Sequence, residues 1–164
     1  MTGEHQLILE THSVEETQDL GRAIGSFMAQ YKGGLCFALV GDLGSGKTHL
    51  SQGIGQGFGV TEEMTSPTFA IMNTYQVGRR SLYHFDLYRL EDTTELDTIG
   101  FYEYTEEQPS IVEWADKFPD ELPEETVWVH FEKVDDSTRK ITLSTDELTQ
   151  EELREIGGAY VVGH

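Results

Sequence analysis

The chain has little that could cross-link it or anchor it in a membrane. A single cysteine among 164 residues excludes a disulfide framework and a cysteine-only zinc site. The longest apolar run, residues 35–40, is far shorter than the roughly 20 residues that a membrane-spanning helix needs. The acidic residues Glu4 and Glu10 flank the few apolar residues at the start, which is unlike a signal peptide. We therefore expect a soluble, cytoplasmic protein with no membrane partner.

Basic side chains are also scarce. The chain carries 11 of them against 30 acidic ones, which gives a net charge of −19 at pH 7. The imbalance is concentrated after residue 90, where 21 of the acidic residues but only 5 of the basic ones lie. Such a surface repels phosphate backbones, so we expect no direct binding to nucleic acid. Two interpretations of the acidic half stay open: a solvated face, or a docking face for a basic partner.

Strand and helix patterns alternate along the chain. Residues 35–40 are apolar without alternation, which is typical of a strand that is buried on both faces of a parallel sheet. Ser13 and Glu16 form a capping box that predicts the start of a helix just before this strand. Further strands are predicted at residues 6–10, 69–75, 82–85 and 110–113, with helices at 92–96 and 149–156. These patterns predict an α/β fold with a mixed, mainly parallel central sheet.

The C-terminal third has a different pattern. Residues 126–131 and 140–143 alternate between apolar and polar side chains on either side of Asp135 and Asp136, which predicts an antiparallel hairpin. The last residues, 146–164, form an acidic helix or tail. Since no linker or repeat interrupts the chain, we predict a single domain over residues 1–164.

The sharpest signal is residues 41–48, GDLGSGKT, which fit the P-loop pattern G-x-x-x-x-G-K-[ST] without a mismatch. Glycines let the backbone turn so tightly that its N–H groups converge on phosphate oxygens, and the following helix adds the positive end of its dipole. Lys47 is then expected to reach the β- and γ-phosphates, and the Thr48 hydroxyl to hold Mg²⁺. We predict a nucleoside-triphosphate site in a three-layer, P-loop NTPase-like fold. The predicted nucleotide contacts in this loop are Leu43, Gly44, Ser45, Gly46, Lys47 and Thr48.

The choice of nucleotide follows from a missing motif. Asn73 is the one asparagine in the sequence, so no N-K-x-D guanine-binding motif exists, and we predict ATP with Mg²⁺. A small-molecule kinase of the P-loop class is the alternative. Such a kinase usually covers its phosphates with a lid that carries arginines. This alternative is disfavoured because no lid-like stretch is evident and only three arginines lie between the loop and residue 117.

Carboxylates stand at the ends of two predicted strands, Asp86 after residues 82–85 and Glu113 after residues 110–112. Such side chains point toward bound phosphates, and we expect them to serve a P-loop Mg²⁺. The alternative for either one is a plain acid on an edge strand. Trp114 is predicted either to pack in the core or to shield the site from water. His84 is predicted to be a structural strand histidine, and His49 to lie on the helix surface beside the nucleotide.

Four segments occur in the order found in the TsaE (YjeE-type) family of bacterial ATPases, which the chain resembles from about residue 13 to residue 145. They are GDLGSGKT, SPTF, YHFDLYR and IVEW. The resemblance implies a weak ATPase needed to form the threonylcarbamoyl group on adenosine 37 of tRNAs that read codons beginning with A. It also implies partnership with a TsaD–TsaB complex, so that tRNA is reached only through partners.

The same resemblance implies roles for single residues. Glu113 matches the family's metal-associated acid, Asp86 its second important acid, and Thr68 a switch-like threonine. The predicted catalytic set is therefore Glu113, Asp86 and Thr68, and Thr48 joins the two acids around the metal. Thr17 falls in a segment that contacts the nucleotide, and Trp114 matches the tryptophan beside the acid. From the residues alone, a simple proline turn that enters a strand is the favoured interpretation of residues 66–68.

Overall fold

The computed structural model describes residues 3–42, 44–65, 67 and 71–162. Within these ranges, seven strands form one sheet: β1 (His5–Thr11), β2 (Cys36–Val40), β3 (Met72–Val77), β4 (Arg80–Asp86), β5 (Ser110–Glu113), β6 (Val127–Lys133) and β7 (Arg139–Thr145). The helices are α1 (Val14–Gln30), α2 (Lys47–Phe58), α3 (Thr94–Thr98), α4 (Phe101–Glu107) and α5 (Gln150–Val162). None of the described helices is both long and apolar enough to cross a membrane.

The sheet has the order β1-β7-β6-β2-β5-β4-β3. Its middle is parallel, because β2 pairs in parallel with β5 and β6, and β5 pairs in parallel with β4. The outer pairs β1–β7, β6–β7 and β3–β4 are antiparallel. The predicted mixed α/β fold and the C-terminal hairpin are therefore confirmed, with the parallel pairings confined to the middle of the sheet.

Helices cover both faces of the sheet, as a three-layer fold requires. The central strand β2 shows this directly: Phe37 and Leu39 join a hydrophobic cluster with side chains of α1, α2 and α5. Cys36 and Ala38 join a second cluster with side chains of α3 and α4. All four residues are buried, which explains why this strand carries an unbroken apolar run.

Helices α1 and α2 pack backbone to backbone on one face. Four glycines allow this approach: Gly21 and Gly25 on α1, and Gly53 and Gly57 on α2. A Cβ atom placed at Gly25 would lie 2.0 Å from the Ile54 carbonyl oxygen, and one at Gly53 would lie 2.2 Å from the Gln18 carbonyl oxygen. The contact sets the position of α2, whose first residue is Lys47.

Some element boundaries differ from the predictions. Helix α4 was not predicted, because it has only seven residues and four of them, Phe101, Tyr102, Tyr104 and Thr105, are weak helix formers. It begins directly after Gly100, whose φ of 77° breaks the chain direction between α3 and α4. The strand predicted over residues 69–75 is Met72–Val77, and Phe69 and Ala70 lie outside the described residues. The terminal helix runs to Val162, beyond the predicted end at residue 156.

Candidate functional site

The glycine-rich loop, residues 41–46, joins the buried strand β2 to the start of α2. Gly44 and Gly46 have φ values of 75° and 112°, a left-handed conformation that favours glycine. Gly46 is the N-cap of α2 and offers no side chain to the free N–H groups of the first turn. The first turn also contains no acidic residue. The helix end is therefore open to an anion.

A cavity of about 370 Å³ lies over this loop and the start of α2. Its described lining comprises Gly44, Ser45, Gly46, Lys47, Thr48, His49, Asp86, Tyr88, Glu113 and Trp114. Strands β4 and β5 contribute the carboxylates, and α2 contributes the lysine and the threonine. Eight of the predicted nucleotide or metal residues, including both carboxylates, thus line one cavity, as expected from the parallel sheet.

Lys47 is held between the loop and an aromatic ring. Its Nζ donates a hydrogen bond to the Gly41 carbonyl oxygen and lies 3.6 Å from the centroid of the Trp114 ring. Burial lowers the pKa of the Lys47 ammonium group, and the negative charge of Glu113 opposes that shift. A positive charge on this lysine is the natural counterpart of a phosphate in the cavity.

Trp114 packs against the core, as one of its two predicted roles requires, and it also lines the cavity. Its shielding of the site from water stays a prediction. Trp114 is half-buried and packs against the hydrophobic cluster that contains Cys36 and Ala38. The face of its ring lies toward Lys47. Tyr88 lies against the same ring, with 4.8 Å between the ring centroids. Trp114 has a φ of 59°, and among the described non-glycine residues it is the one with positive φ. Such strain is held in place by surrounding structure and is common at functional sites.

Asp86 and Glu113 are register partners on the parallel strands β4 and β5. Asp86 accepts a hydrogen bond from the Tyr88 amide at 2.9 Å, and burial raises the pKa of its carboxyl group, with repulsion from Glu113 adding to the shift. Glu113 is 2% exposed. Its Oε2 lies 2.6 Å from His84 Nε2 and 3.4 Å from Ser51 Oγ.

The oxygen donors at this cavity suit Mg²⁺. In the described part of the chain, no three His, Cys, Asp or Glu side chains are grouped so that they could hold a metal by themselves. Mg²⁺ in nucleotide sites usually takes one or two carboxylates and completes its shell with waters and phosphates. Two carboxylates and the Thr48 hydroxyl at one cavity fit that pattern.

A second cavity of about 310 Å³ shares Gly44, Gly46 and His49 with the first. Its other described lining residues are His12, Ser13, Val14, Thr17, Asp136, Ser137 and Arg139. Thr17 is buried and its Oγ1 lies 2.7 Å from Thr11 Oγ1, so its hydroxyl is held in place. His49 is half-buried and borders both cavities, close to the position predicted for it.

Arg139 was missed by the sequence analysis. It lies at the start of β7, and its Nε and Nη2 atoms donate to the carbonyl oxygens of Ser45 (3.1 Å) and Gly44 (3.3 Å). The same guanidinium group also donates to the Asp135 carbonyl at 2.9 Å. One side chain thus ties the glycine-rich loop to the β6–β7 turn. No local pattern could reveal a contact between residues more than 90 positions apart.

Two predicted site residues, Leu43 and Thr68, lie outside the described residues. The expectation for His84 was incomplete, because this strand histidine contacts the Glu113 carboxylate directly. The alternation of a strand offered a signal: residues 84 and 86 share one face of β4, so His84 points to the same side as Asp86.

Comparisons with known proteins identify the family. Residues 11–141 match the family model described as "Threonylcarbamoyl adenosine biosynthesis protein TsaE". The chain belongs to the TsaE family. This confirms the resemblance of the four sequence motifs and assigns the chain to a family that acts in tRNA threonylcarbamoyladenosine biosynthesis.

Individual TsaE relatives are similar over most of the chain. The Bacillus subtilis protein named tRNA threonylcarbamoyladenosine biosynthesis protein TsaE is 37% identical over 140 residues, which cover 85% of both chains. The Treponema pallidum protein of the same name is 34% identical over 135 residues, covering 82% of this chain and 97% of the relative. The crystal structure of Bacillus subtilis YdiB superimposes with a TM-score of 0.70 at 27% identity, over 100% of this chain and 99% of that one.

Proposed function

We propose that this TsaE-family chain is a Mg²⁺-dependent ATP-binding protein and weak ATPase. It serves, together with a TsaD–TsaB complex, the formation of the threonylcarbamoyl group on adenosine 37 of tRNAs that read codons beginning with A. The observation that carries the proposal is the single cavity where the start of α2 meets the carboxylates of Asp86 and Glu113.

The triphosphate occupies the larger cavity. The free N–H groups at the start of α2 and the backbone of the glycine-rich loop bind phosphate oxygens. Lys47, whose Nζ donates to the Gly41 carbonyl oxygen, lies where its ammonium group can reach the β- and γ-phosphates. The smaller cavity adjoins the loop near Thr17 and offers room for the nucleoside.

ATP is preferred to GTP because the chain lacks an N-K-x-D motif. Its one asparagine, Asn73, lies on β3 and donates its side-chain amide to the Thr65 carbonyl oxygen at 3.2 Å. It is not among the lining residues of either cavity beside the loop.

Thr48, Asp86 and Glu113 would hold Mg²⁺, which when bound would neutralise charge on the phosphates. Glu113 also accepts a hydrogen bond from the attacking water and orients it. A general base must lie within hydrogen-bond reach of the proton that it takes, and Glu113 borders the cavity where the γ-phosphate would lie. Thr68 is proposed to sense the γ-phosphate.

The net charge supports an indirect relation to tRNA. A chain at −19 repels the tRNA backbone, so partners must hold the tRNA. Nucleotide can control assembly with TsaD–TsaB only if the ATP- and ADP-bound states bind those partners with different affinity. We propose that the ATP-bound state assembles and that hydrolysis releases or resets the complex.

Calorimetry tests the nucleotide site. Lys47→Ala should weaken ATP binding by more than tenfold, or about 1.4 kcal/mol, because the variant loses the positive charge in the cavity. Lys32→Ala is the matched control, since Lys32 is exposed and lies after α1, away from both cavities. Equal ATP affinity for Lys47→Ala and the wild type would refute the site, and tighter binding of GTP would refute the base preference.

Turnover assays test the acids. Glu113→Gln should retain ATP binding and lose roughly 10²-fold or more in hydrolysis rate, because the neutral amide cannot act as a base. Asp86→Asn should require more Mg²⁺ for the same rate, and an unchanged Mg²⁺ titration would argue against coordination. Nucleotide-dependent phosphorylation of a small metabolite, without stimulation of tRNA threonylcarbamoylation, would favour the kinase alternative.

Sedimentation with purified TsaD and TsaB tests the partnership. The chain should join the complex with ATP and leave it with ADP, and Thr68→Ala should weaken this dependence. Added salt should weaken association if the acidic half faces a basic partner surface. Assembly that ignores the nucleotide would remove the switch, and tight binding of the chain alone to tRNA would contradict the argument from charge.

A further inference from the structure

We propose that His84 is a positioning residue that fixes the Glu113 carboxylate for ATP hydrolysis, an inference that rests on the function proposed above. His84 does not border the cavity in the described structure, whereas Glu113 does. The histidine therefore acts through the glutamate.

Both side chains are buried and in direct contact. His84 is 1% exposed and Glu113 is 2% exposed, and His84 Nε2 lies 2.6 Å from Glu113 Oε2. The two residues stand on neighbouring parallel strands, where His84 is the register partner of Ile111 and reaches along the sheet to residue 113. A buried carboxylate needs such a donor, because leaving its charge unpaired is costly.

The hydrogen-bond network determines which ring nitrogen carries the proton. An ionised carboxylate only accepts hydrogen bonds, so Nε2 must be a donor. Nδ1 is buried and has no hydrogen-bond partner among the described residues. The geometry therefore places a proton on Nε2, and no partner among the described residues requires one on Nδ1.

The two carboxylate oxygens of Glu113 differ in their hydrogen-bond partners. Both hydrogen bonds described for this carboxylate, from His84 and from Ser51 Oγ at 3.4 Å, end on Oε2. Oε1 is then the oxygen left for the cavity, where water or Mg²⁺ would be bound. Because β4 and α2 each hold the same oxygen, the carboxylate cannot rotate freely about its last bond.

A residue that only packed the sheet could be replaced by any apolar side chain of similar size. A residue that positions a carboxylate needs its donor atom in one place. Partners that orient functional groups in this way typically contribute about 10- to 100-fold to activity. We expect the loss to appear in kcat, with the affinity for ATP unchanged, because His84 contacts no residue of the glycine-rich loop in the hydrogen bonds described.

Two amide variants separate these roles. In His84→Gln the amide nitrogen can occupy the place of Nε2, whereas in His84→Asn it lies near the place of Nδ1 and cannot reach Glu113. His84→Gln should keep most of the wild-type kcat, and His84→Asn should lose about 10- to 100-fold. His5→Leu is the control, since it removes a strand histidine on β1 whose ring contacts the Leu148 carbonyl far from the site. Equal kcat values for the Gln and Asn variants would overturn the proposal.

A double-mutant cycle shows whether His84 acts through Glu113. His84→Asn added to Glu113→Gln should cause no further loss of kcat, whereas independent effects would multiply. Multiplying effects would overturn the proposal.

Nitrogen-15 NMR of the imidazole rings tests the inference without measuring ATP turnover. The nucleotide-free protein should show His84 with Nε2 protonated, and a proton on Nδ1 with none on Nε2 would overturn it. A wild-type protein that binds ATP without hydrolysing it would contradict the proposed function, while the NMR result would still decide whether His84 holds Glu113.

Discussion

Replacing Gly25 by alanine tests whether the close packing of α1 and α2 positions the proposed nucleotide site. A Cβ atom at this position would lie 2.0 Å from the Ile54 carbonyl oxygen and 2.7 Å from the Phe58 backbone nitrogen. Ordinary contacts of a Cβ atom begin at 3.4 Å. The two helices would therefore have to separate by about 1.4 Å, because a backbone atom cannot rotate away as a flexible side chain can.

The expected magnitude follows from two opposing effects. Overpacking of this kind costs about 1–3 kcal/mol, and the contact at Gly25 is with backbone, which favours the upper end. Alanine in a helix interior is about 1 kcal/mol more favourable than glycine. The variant should therefore lose about 2 kcal/mol of stability. For a chain of this size, 1 kcal/mol corresponds to about 2–4 °C in Tm, so Tm should fall by about 4–8 °C.

Thermal unfolding followed by circular dichroism measures this effect, with Gly158→Ala as the matched control. Gly158 also lies inside a helix, α5, but nothing lies within 4 Å of the Cβ position there. This variant should gain about 0.5–1 kcal/mol from helix propensity alone. Because α2 begins at Lys47, Gly25→Ala should also weaken ATP binding, whereas Gly158→Ala should not.

The two variants must move in opposite directions. If Gly25→Ala is as stable as the wild type, or is stabilised like Gly158→Ala, the helices do not pack backbone to backbone. If Gly25→Ala is destabilised but binds ATP with wild-type affinity, the packing is real and does not set the position of the loop.

Three further perturbations follow from single side chains. Arg139→Ala should weaken ATP binding about tenfold in calorimetry, because two carbonyl oxygens of the glycine-rich loop lose their hydrogen-bond donor. Unchanged affinity would mean that the loop is ordered without Arg139. Asp86→Asn should raise the Tm of the nucleotide-free protein at pH 7. Burial raises the pKa of Asp86 above its ordinary 3.8. The contribution of this carboxyl group to the free energy of unfolding is therefore fully present below pH 3.8, and it is lost as the pH rises through the raised pKa of the folded state. The gain in Tm should therefore vanish in acid, and a gain that is constant with pH would contradict the shift. Burial raises the pKa of the Cys36 thiol to about 12, so iodoacetamide at pH 8 should label this cysteine only after the protein unfolds. Rapid labelling of the native protein would contradict the buried position of β2.

The acidic surface bears on the choice of partner. Most of the acidic residues lie after residue 90, and the described carboxylates Glu106, Glu107, Asp120, Glu121, Glu124 and Glu125 line one cavity of about 650 Å³ on the α4 side of the sheet. This cavity shares no described lining residue with the two cavities beside the glycine-rich loop. The salt dependence of assembly distinguishes a docking face from a solvated one.

Much of the site could be predicted because its signals are local. Residues 41–48 specify a tight turn before a helix, and the apolar run of β2 specifies a buried strand before that turn. Asp86 and Glu113 were found because a strand that ends in a carboxylate is recognisable by itself. The family resemblance added their roles, and the family itself is confirmed.

Sequence by itself determined most of the strands and helices, the glycine-rich loop pattern and the candidate acids, because helix and strand periodicity and turn chemistry depend on neighbouring residues. Only the tertiary structure decided that β4 lies beside β5, which brings Asp86 and Glu113 together and places His84 against Glu113. It also decided that Arg139 reaches the loop. Glycines weaken an isolated helix, but in α1 and α2 they are the points where the two backbones approach each other. This stabilising role depends on a partner backbone far away in the sequence, so no local pattern reveals it. Strand order and helix contact join residues far apart in the chain, so they depend on packing of the whole domain.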